Sequence, residues 1–281
     1  YVDCTLGGAG HAHALGEQLA ADGLLIGLDQ DEVALATATE RLADLNCRVM
    51  TIPTNFKDLK AALTSRGITE VDGFIFDLGV SSYQLDTAER GFSYMQDGPL
   101  DMRMDNSQGP TAAEWLVNIE EEALANIIFQ YGEERYSRRI AKAIKAAGYI
   151  DTTAKLAEIV KVAHPKWEKN KHAATRTFQA IRIAINKELE DIETFLPQAV
   201  EILKPEGRLA VISFHSLEDR LIKQFIQKES TLEEDSGWGM PQQQKDTRRL
   251  KKIARVKAGD EEVKANPRSR SAWLRVAERL A

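Results

Sequence analysis

The chain has 281 residues, of which 43% are hydrophobic and 28% are charged, with 37 basic and 43 acidic side chains and a formal net charge of −6. This composition is typical of a globular protein and excludes a disordered or collagen-like chain, while no apolar run approaches the ~20 residues of a membrane helix. Two cysteines, Cys4 and Cys47, are too few for a disulfide framework, which fits a reducing cytosol and predicts a cytoplasmic protein.

The first part of the chain alternates between apolar, β-rich segments and helical patterns. Strands are predicted at residues 1–6, 24–28, 48–52 and 71–78, and helices at 11–21, 31–45 and 56–66. Such alternation is typical of a parallel sheet that is covered by helices on both faces. The fold class is therefore predicted to be α/β. Because the chain begins at Tyr1 and not at Met, we expect a native segment to precede it.

The alternation stops after Gly79. Residues 79–110 are rich in Gly, Ser, Asp and Pro, and a loop of this length is typically functional. The following residues, to about 185, show only helical patterns, which indicates an inserted all-helical subdomain at 106–185. A long helix over about 177–203, a strand at 208–213 and a β-like segment at 272–277 then continue the first domain. That domain is therefore predicted to comprise residues 1–105 and 186–281.

A glycine loop, LGGAGH at residues 6–11, follows the first strand and opens a helix. Asp29 ends the next strand, where a carboxylate can accept hydrogen bonds from a ribose. Asp3, just before the loop, would repel the pyrophosphate of a dinucleotide but tolerates a ligand with an ammonium and a sulfonium group. The loop therefore favours S-adenosylmethionine over NAD. The alternative interpretation, a tight strand-to-helix turn that binds no ligand, is not excluded by the sequence. His11 and His13 have no third ligand nearby, so no metal is assigned.

Two further polar residues follow strands of the predicted sheet. Asp77 ends the strand at 71–78, at the edge where ligands of open α/β sheets bind. A carboxylate there can accept a hydrogen bond from an exocyclic base amine and localise its lone pair towards a methyl donor. Asp77 is therefore a candidate catalytic residue. His215, after the strand at 208–213, is interpreted as a structural histidine.

Seven segments carry a specific resemblance. They are DLGVSS at 77–82, QLD at 84–86, ERGFS at 89–93, GPLDMRMD at 98–105, AATRTFQA at 173–180, SFHSLEDR at 213–220 and NPRSRS at 266–271. In this order they strongly resemble the bacterial ribosomal small-subunit methyltransferase H (MraW) family, over essentially the whole chain. Many members have Arg-Gly-Gly in the glycine loop, so Ala9 is expected to contribute only its backbone.

The resemblance implies a fold, a reaction and a site. It implies a Rossmann-like S-adenosylmethionine-dependent methyltransferase sheet whose inserted helical subdomain recognises RNA. The implied reaction is methylation of the exocyclic N4 of a cytidine in the decoding region of 16S small-subunit ribosomal RNA. Matched by motif, the cofactor-binding residues are Ala9, Gly10, His11, Asp29, Phe56, Asp77 and Gln84. The role of Asp77 as amine acceptor is a separate hypothesis from its chemistry.

Basic residues are concentrated in two segments despite the acidic total. Residues 135–185 contain 12 Lys or Arg against 3 acidic residues, and residues 245–281 contain 12 against 5. Candidate RNA-binding residues are Arg135, Arg138, Arg139, Lys142 and Arg176, and the first four fall three or four apart on a helix. A solvated helix face is the alternative interpretation. The segregation of charge favours an RNA partner.

Several alternatives stay open at this point. The chain could methylate an amino group of another nucleic acid, such as DNA. Other classes are an NAD-linked oxidoreductase, disfavoured by Asp3 and by the lack of a second dinucleotide-binding half, and a non-catalytic RNA-binding module. The expected partner is 16S rRNA or the small ribosomal subunit. A homodimer is a further possible state, for which no residue supplies an argument.

Overall fold

The computed structural model describes residues 1–165, 172–232 and 246–281, and the chain forms two compact units. The sheet unit comprises Tyr1–Gly79 and Leu189–Ala281, and the helical unit comprises Val80–Glu188. In the described part of the chain, no helix is long and apolar enough to cross a membrane.

The sheet unit is built on one mixed sheet. Its strands are β1 (Val2–Asp3), β2 (Leu24–Asp29), β3 (Arg48–Pro53), β4 (Val71–Asp77), β5 (Leu203–Ser213), β6 (Leu250–Lys257) and β7 (Trp273–Arg279). The strand order is β3-β2-β1-β4-β5-β7-β6; the first five are parallel, and β7 runs antiparallel to both its neighbours. From β1, the chain adds β2 and β3 on one side of the sheet and then β4 and β5 on the other side, as in Rossmann-like folds. The predicted Rossmann-like fold is confirmed.

Helices connect the strands and form the second unit. They are α1 (Gly10–Gly16), α2 (Glu32–Arg41), α3 (Leu59–Thr64), α4 (Ser82–Asp86), α5 (Ala112–Asn118), α6 (Glu121–Gly132), α7 (Ser137–Ala147), α8 (Thr153–Ala163), α9 (Ala174–Asn186), α10 (Glu188–Ile202), α11 (Ser216–Glu229) and α12 (Asp260–Ala265). The single long helix expected over 177–203 is wrong, because Lys187 adopts a left-handed conformation (φ 53°) that ends α9 before α10 begins.

Each unit has a core of its own. In the sheet unit, the ring of Phe195 on α10 lies 4.3 Å from that of Phe76 on β4, and both side chains are fully buried. The core of the helical unit is formed by α5–α9 together with Leu100 and Met102, which are also buried. A separate core for each unit follows from the switch in the sequence from alternating elements to helices alone.

Residues 80–105 pack with the helices. The Leu100 amide donates to the Asp151 carbonyl at 2.9 Å, and the Ala113 amide donates to the Leu100 carbonyl at 2.9 Å. Gly91 has φ 71°, and a Cβ there would lie 2.3 Å from the Pro99 carbonyl oxygen, so only glycine fits this turn. The helical unit thus begins well before the 106–185 insertion expected from the sequence, because the periodicity of residues 80–105 does not show what they pack against.

Candidate active site

The loop between β1 and α1 has a backbone that leaves open space beside it. Gly7 and Ala9 have positive φ angles of 47° and 57°, and the Ala9 side chain is fully buried. A Cβ built on Gly8 or Gly10 would meet no atom within 4 Å. The loop can therefore present its backbone to a ligand, and cofactor binding by Ala9 and Gly10 stays a prediction.

Asp29, at the end of β2, holds this loop in place. One of its carboxylate oxygens accepts a hydrogen bond from the Gly7 amide at 2.8 Å, and the other accepts one from the Asp31 amide at 2.9 Å. Burial raises the pKa of Asp29 above its ordinary value, and these hydrogen bonds oppose the rise. The structure thus brings together the glycine loop and the acid that the sequence predicted for the same site.

Asp3 and Asp77 end neighbouring strands and are joined through Thr5. The Thr5 amide donates to Asp3 Oδ1 at 3.1 Å, and the Thr5 hydroxyl oxygen accepts from the Asp77 amide at 2.8 Å. Sequence reasoning missed Thr5, although a small hydroxyl residue between a strand-end acid and a glycine loop is a signal that could have identified it. His11 Nδ1 lies 3.5 Å from Asp77 Oδ2.

The two carboxyls are unusually weak acids. Burial raises the pKa of Asp3 to about 7, and burial together with the nearby Glu218 carboxylate raises the pKa of Asp77 to about 7. Asp77 Oδ1 is buried and has no hydrogen-bond partner among the described residues. This orphaned oxygen is suited to accept a hydrogen bond from a ligand.

Three acids therefore end three adjacent strands, β2, β1 and β4. Within the described ranges, no Lys or Arg forms an ion pair with Asp3, Asp29 or Asp77, and His11 is the only group within ion-pair distance of any of them. Buried carboxylates without a counter-ion are costly. A ligand that carries positive charge would offset this cost, whereas a polyphosphate would add to it.

Phe56 lies in the core beside this edge. Its ring packs edge-to-face on Phe76, with centroids 4.6 Å apart, and on Phe195 at 5.7 Å. Phe56 is only partly buried, so part of its ring stays available to a ligand. Asn55 fixes the turn before it: its amide nitrogen donates to Asp191 at 2.7 Å, and its oxygen caps the Lys57 amide at 3.0 Å. Sequence reasoning missed the Asn55–Asp191 contact, which spans 136 residues.

Gln84, the last of the predicted cofactor residues, lies in the helical unit. Its side-chain oxygen accepts from the Ser81 amide at 3.0 Å, and the Ser81 hydroxyl oxygen accepts from the Gln84 amide at 3.1 Å. This capping box begins α4 and leaves Gln84 buried. A helix-capping role is thus visible for Gln84, and cofactor binding stays a prediction.

His215 begins α11 as its N-cap residue. Its Nε2 lies 3.1 Å from Glu218 Oε1, and Glu218 Oε2 accepts from the Phe214 amide at 2.8 Å. The His215 side chain caps α11 through Nδ1, which accepts from the Glu218 amide at 3.5 Å, and its interpretation as a structural histidine stays a prediction.

The predicted RNA-binding residues divide into two groups in the helical unit. Arg138, Arg139 and Lys142 are exposed on α7, and the exposed Arg135 guanidinium stacks on the Tyr136 ring at 4.7 Å. Arg176 instead lies 3.4 Å from the buried Glu134 carboxylate, which offsets its charge. Three other basic residues of this segment, Lys166, Lys169 and Lys171, lie outside the described residues.

Comparison with known proteins identifies the family. Residues 1–280 match the model of the MraW methylase family. Ribosomal RNA small subunit methyltransferase H of Acinetobacter baylyi is 72% identical over 280 residues, covering 100% of this chain and 92% of that protein. The protein of the same name from Psychrobacter cryohalolentis is 50% identical over 279 residues, covering 99% and 81%. An rRNA methylase structure from Streptococcus thermophilus is 12% identical, with a TM-score of 0.44 over 100% and 86% of the two chains. The family match and the two close relatives show that this chain belongs to the MraW methylase family.

Proposed function

We propose that this protein transfers a methyl group from S-adenosylmethionine to the exocyclic N4 of a cytidine in the decoding region of 16S rRNA. The observation that carries the proposal is the set of three strand-end acids beside an open glycine loop, of which Asp3 is buried and Asp29 and Asp77 are partly buried. Membership of a methylase family and relatives named for the small-subunit RNA support the same reaction. Family membership also leaves the NAD-linked alternative without support.

The site residues fit this cofactor. The three strand-end acids favour a ligand with an ammonium and a sulfonium group, because both charges offset the cost of removing carboxylates from water. Asp29 would accept hydrogen bonds from the ribose, and Ala9, Gly10 and His11 would border the ligand through the loop. Phe56 would contribute the exposed part of its ring, and Gln84 completes the set that the family motif indicates.

The reaction needs placement more than acid–base chemistry. When bound, S-adenosylmethionine supplies the methyl group on a positively charged sulfur. In the transfer, the cytidine amine would form the new N–C bond as the S–C bond breaks, and the electron pair of the broken bond would stay on the sulfur. Asp77 accepts a hydrogen bond from the amine, which directs the lone pair towards the methyl carbon. The amine proton is released to Asp77 or to water.

The substrate must leave its stack to reach these residues. Unpaired regions of RNA make this least costly, since no base pair has to be broken. The exposed basic residues of α7 in the helical unit would bind phosphates of the same RNA. The protein would then act in the cytoplasm on the small ribosomal subunit or on its RNA.

The proposal is tested on small subunits and on 16S rRNA from cells that lack the gene. The purified protein and labelled S-adenosylmethionine are added, and the nucleosides are mapped by mass spectrometry. We expect label in N4-methylcytidine of the decoding region, and calorimetric binding of S-adenosylmethionine but not of NAD. Label in another nucleoside, or none in RNA, would contradict the proposal.

The role of Asp77 is tested separately with Asp77→Asn. The amide oxygen can still accept a hydrogen bond, but the negative charge that strengthens it is removed, so we expect roughly a 100-fold lower single-turnover rate. Calorimetry with S-adenosylhomocysteine shows whether the cofactor site survives. An Asp77→Asn variant that binds cofactor and methylates at the full rate would remove the amine-acceptor role.

A further inference from the structure

Two basic side chains lie over one indole ring at the end of the sheet. The guanidinium carbon of Arg255 lies 3.7 Å from the ring centroid of Trp273, and the Lys257 ammonium lies 6.0 Å from it. Arg255 and Lys257 are exposed on β6, the edge strand next to β7. A guanidinium stacked on an aromatic ring keeps its planar donor edge available to an anion.

This pair lies at the same edge of the sheet as the three strand-end acids. Strand register aligns Asp77 with Ile212 on β5, Ile212 with Leu274 on β7, and Leu274 with Val256 on β6. Val256 is flanked by Arg255 and Lys257. Neighbouring strands lie about 4.8 Å apart, so the Val256 backbone lies roughly 14 Å from that of Asp77, and the side chains of Arg255 and Lys257 leave the opposite face of the sheet from the Asp77 side chain. A short stretch of single-stranded nucleic acid can span that distance.

Positive charge dominates around Trp273. Asp219 on α11 binds Arg275 through two hydrogen bonds of 2.7 and 2.9 Å, and Arg275, Arg255 and Lys223 together lower the pKa of Asp219. Three cations thus act on one carboxylate that is already paired. Within the described ranges, Lys223, Arg255 and Lys257 form no ion pair, although acidic residues begin α12 a few positions after β6. We call Lys223, Arg255, Lys257 and Trp273 the basic corner.

A simpler interpretation of β6 is edge protection, in which lysines on an edge strand prevent pairing with other chains. Lys251 fits that interpretation: it is exposed, it lies opposite Glu278 in the strand register, and its ammonium is 3.9 Å from the Glu278 carboxylate. Edge protection needs neither the arginine stacked on Trp273 nor cations left without carboxylates. Those two features are typical of phosphate recognition.

We propose that the basic corner binds phosphates of the RNA strand that flanks the base delivered to Asp77. The proposal rests on the proposed function and adds a second RNA contact, on the sheet unit itself, to the exposed basic residues of α7. Phosphate contacts here would fix the register of the strand, and they carry no base specificity.

The test compares Arg255→Ala/Lys257→Ala with Lys251→Ala. Lys251 is a matched control because it lies on the same strand and has an acidic partner, and the register shift between Lys252 and Ala254 puts it on the opposite face from Arg255 and Lys257. Binding of the full-length protein with S-adenosylhomocysteine to a protein-free decoding-region RNA fragment is measured by fluorescence anisotropy at several salt concentrations. Calorimetry with S-adenosylhomocysteine reports the cofactor site, and thermal melting reports the fold.

We expect the double variant to bind RNA roughly 10-fold more weakly at low salt, with the slope of log affinity against log salt reduced by about 0.7 for each phosphate that is no longer neutralised. Cofactor binding and the melting temperature should not change, and Lys251→Ala should bind RNA as the unmodified protein does. Arg255→Lys should weaken binding less than Arg255→Ala, because it keeps the charge and removes only the planar stack.

Two results would overturn the proposal that the basic corner binds phosphates of the RNA. The double variant could bind the fragment as tightly as Lys251→Ala does, or it could lose methylation only on assembled subunits, which would indicate a ribosomal-protein partner. Failure of the proposed function looks different: in that case the unmodified protein would not place label in N4-methylcytidine of the decoding region.

Discussion

At the scale of single residues, the buried acids weaken the folded chain in a pH-dependent way. The pKa of Asp3 rises to about 7 because the carboxyl is buried, so the folded state binds its proton more tightly than the unfolded state does. The free energy of unfolding therefore falls as the pH rises from about 4 to about 7, and the full cost is present above that range. The same sign holds for Asp77. A cationic ligand would offset this cost.

Replacing Asp3 should therefore stabilise the protein without ligand. Asp3→Asn keeps an oxygen for the Thr5 amide and removes the buried charge, so we expect the free energy of unfolding to rise by about 1–3 kcal/mol at pH 8 and to change little at pH 5. S-adenosylmethionine should bind the variant more weakly, since one compensating carboxylate is gone. Denaturant unfolding at both pH values, with and without S-adenosylmethionine, measures both effects. A variant that is destabilised equally at both pH values would show that the buried charge of Asp3 does not lower the stability of the folded chain.

At the scale of elements, short polar contacts decide where a helix begins and what it carries. Asn55 caps the turn that holds Phe56, and the same side chain binds Asp191 on α10 and Gln30 after β2. One amide thus joins three segments of the sheet unit. These hydrogen bonds of Asn55 fix the position of the Phe56 ring beside the active-site edge.

Removing the Asn55 side-chain hydrogen bonds should destabilise the sheet unit. We expect Asn55→Ala to lower the free energy of unfolding by about 1–3 kcal/mol, because the variant has no helix cap and the buried Asp191 loses a donor. Binding of S-adenosylhomocysteine should also weaken, because the Phe56 ring would no longer be held beside the active-site edge. Asn46→Ala, at an exposed asparagine outside the helices and strands, is the control and should match the unmodified protein in chemical denaturation. Equal stability of the two variants would contradict the role given to Asn55.

At the scale of the whole molecule, charge is segregated although the total is −6. Buried and partly buried acids lie at the edge of the sheet beside the glycine loop, whereas exposed arginines and lysines lie on α7 and on β6. The two kinds of site serve ligands of opposite charge, a cationic cofactor and an anionic RNA. Net charge alone conceals this division.

The exposed basic residues of α7 should contribute to RNA affinity and to nothing else. We expect Arg138→Ala/Arg139→Ala/Lys142→Ala to reduce the slope of log affinity against log salt by up to about 2, at 0.7 per phosphate contact. Cofactor binding in the sheet unit should be unchanged. The control is Lys145→Ala on the same helix, whose ammonium donates to the Leu116 and Val117 carbonyls at 2.9 and 2.8 Å. It should lower the melting temperature and leave the salt slope intact; an unchanged slope in the triple variant would contradict RNA contact by α7.

The sequence by itself determined the α/β sheet, the glycine loop and the acids that border it. Residue periodicity and strand-end positions carry this information, because parallel strands bring their carboxyl ends to one edge whatever the details of packing. The motifs determined the family in the same way. The β6 strand was missed, since its exposed lysines and arginines lack the alternation of a half-buried strand.

Only the tertiary structure decided what surrounds those residues. It shows that Thr5 joins Asp3 to Asp77, that residues 80–105 pack with the helices, and that Arg176 pairs with Glu134, 42 positions away in the chain. It also shows that the buried acids have no arginine or lysine beside them in the described part of the chain. These are contacts and pKa changes made through space between distant segments, and no local pattern of residues encodes them.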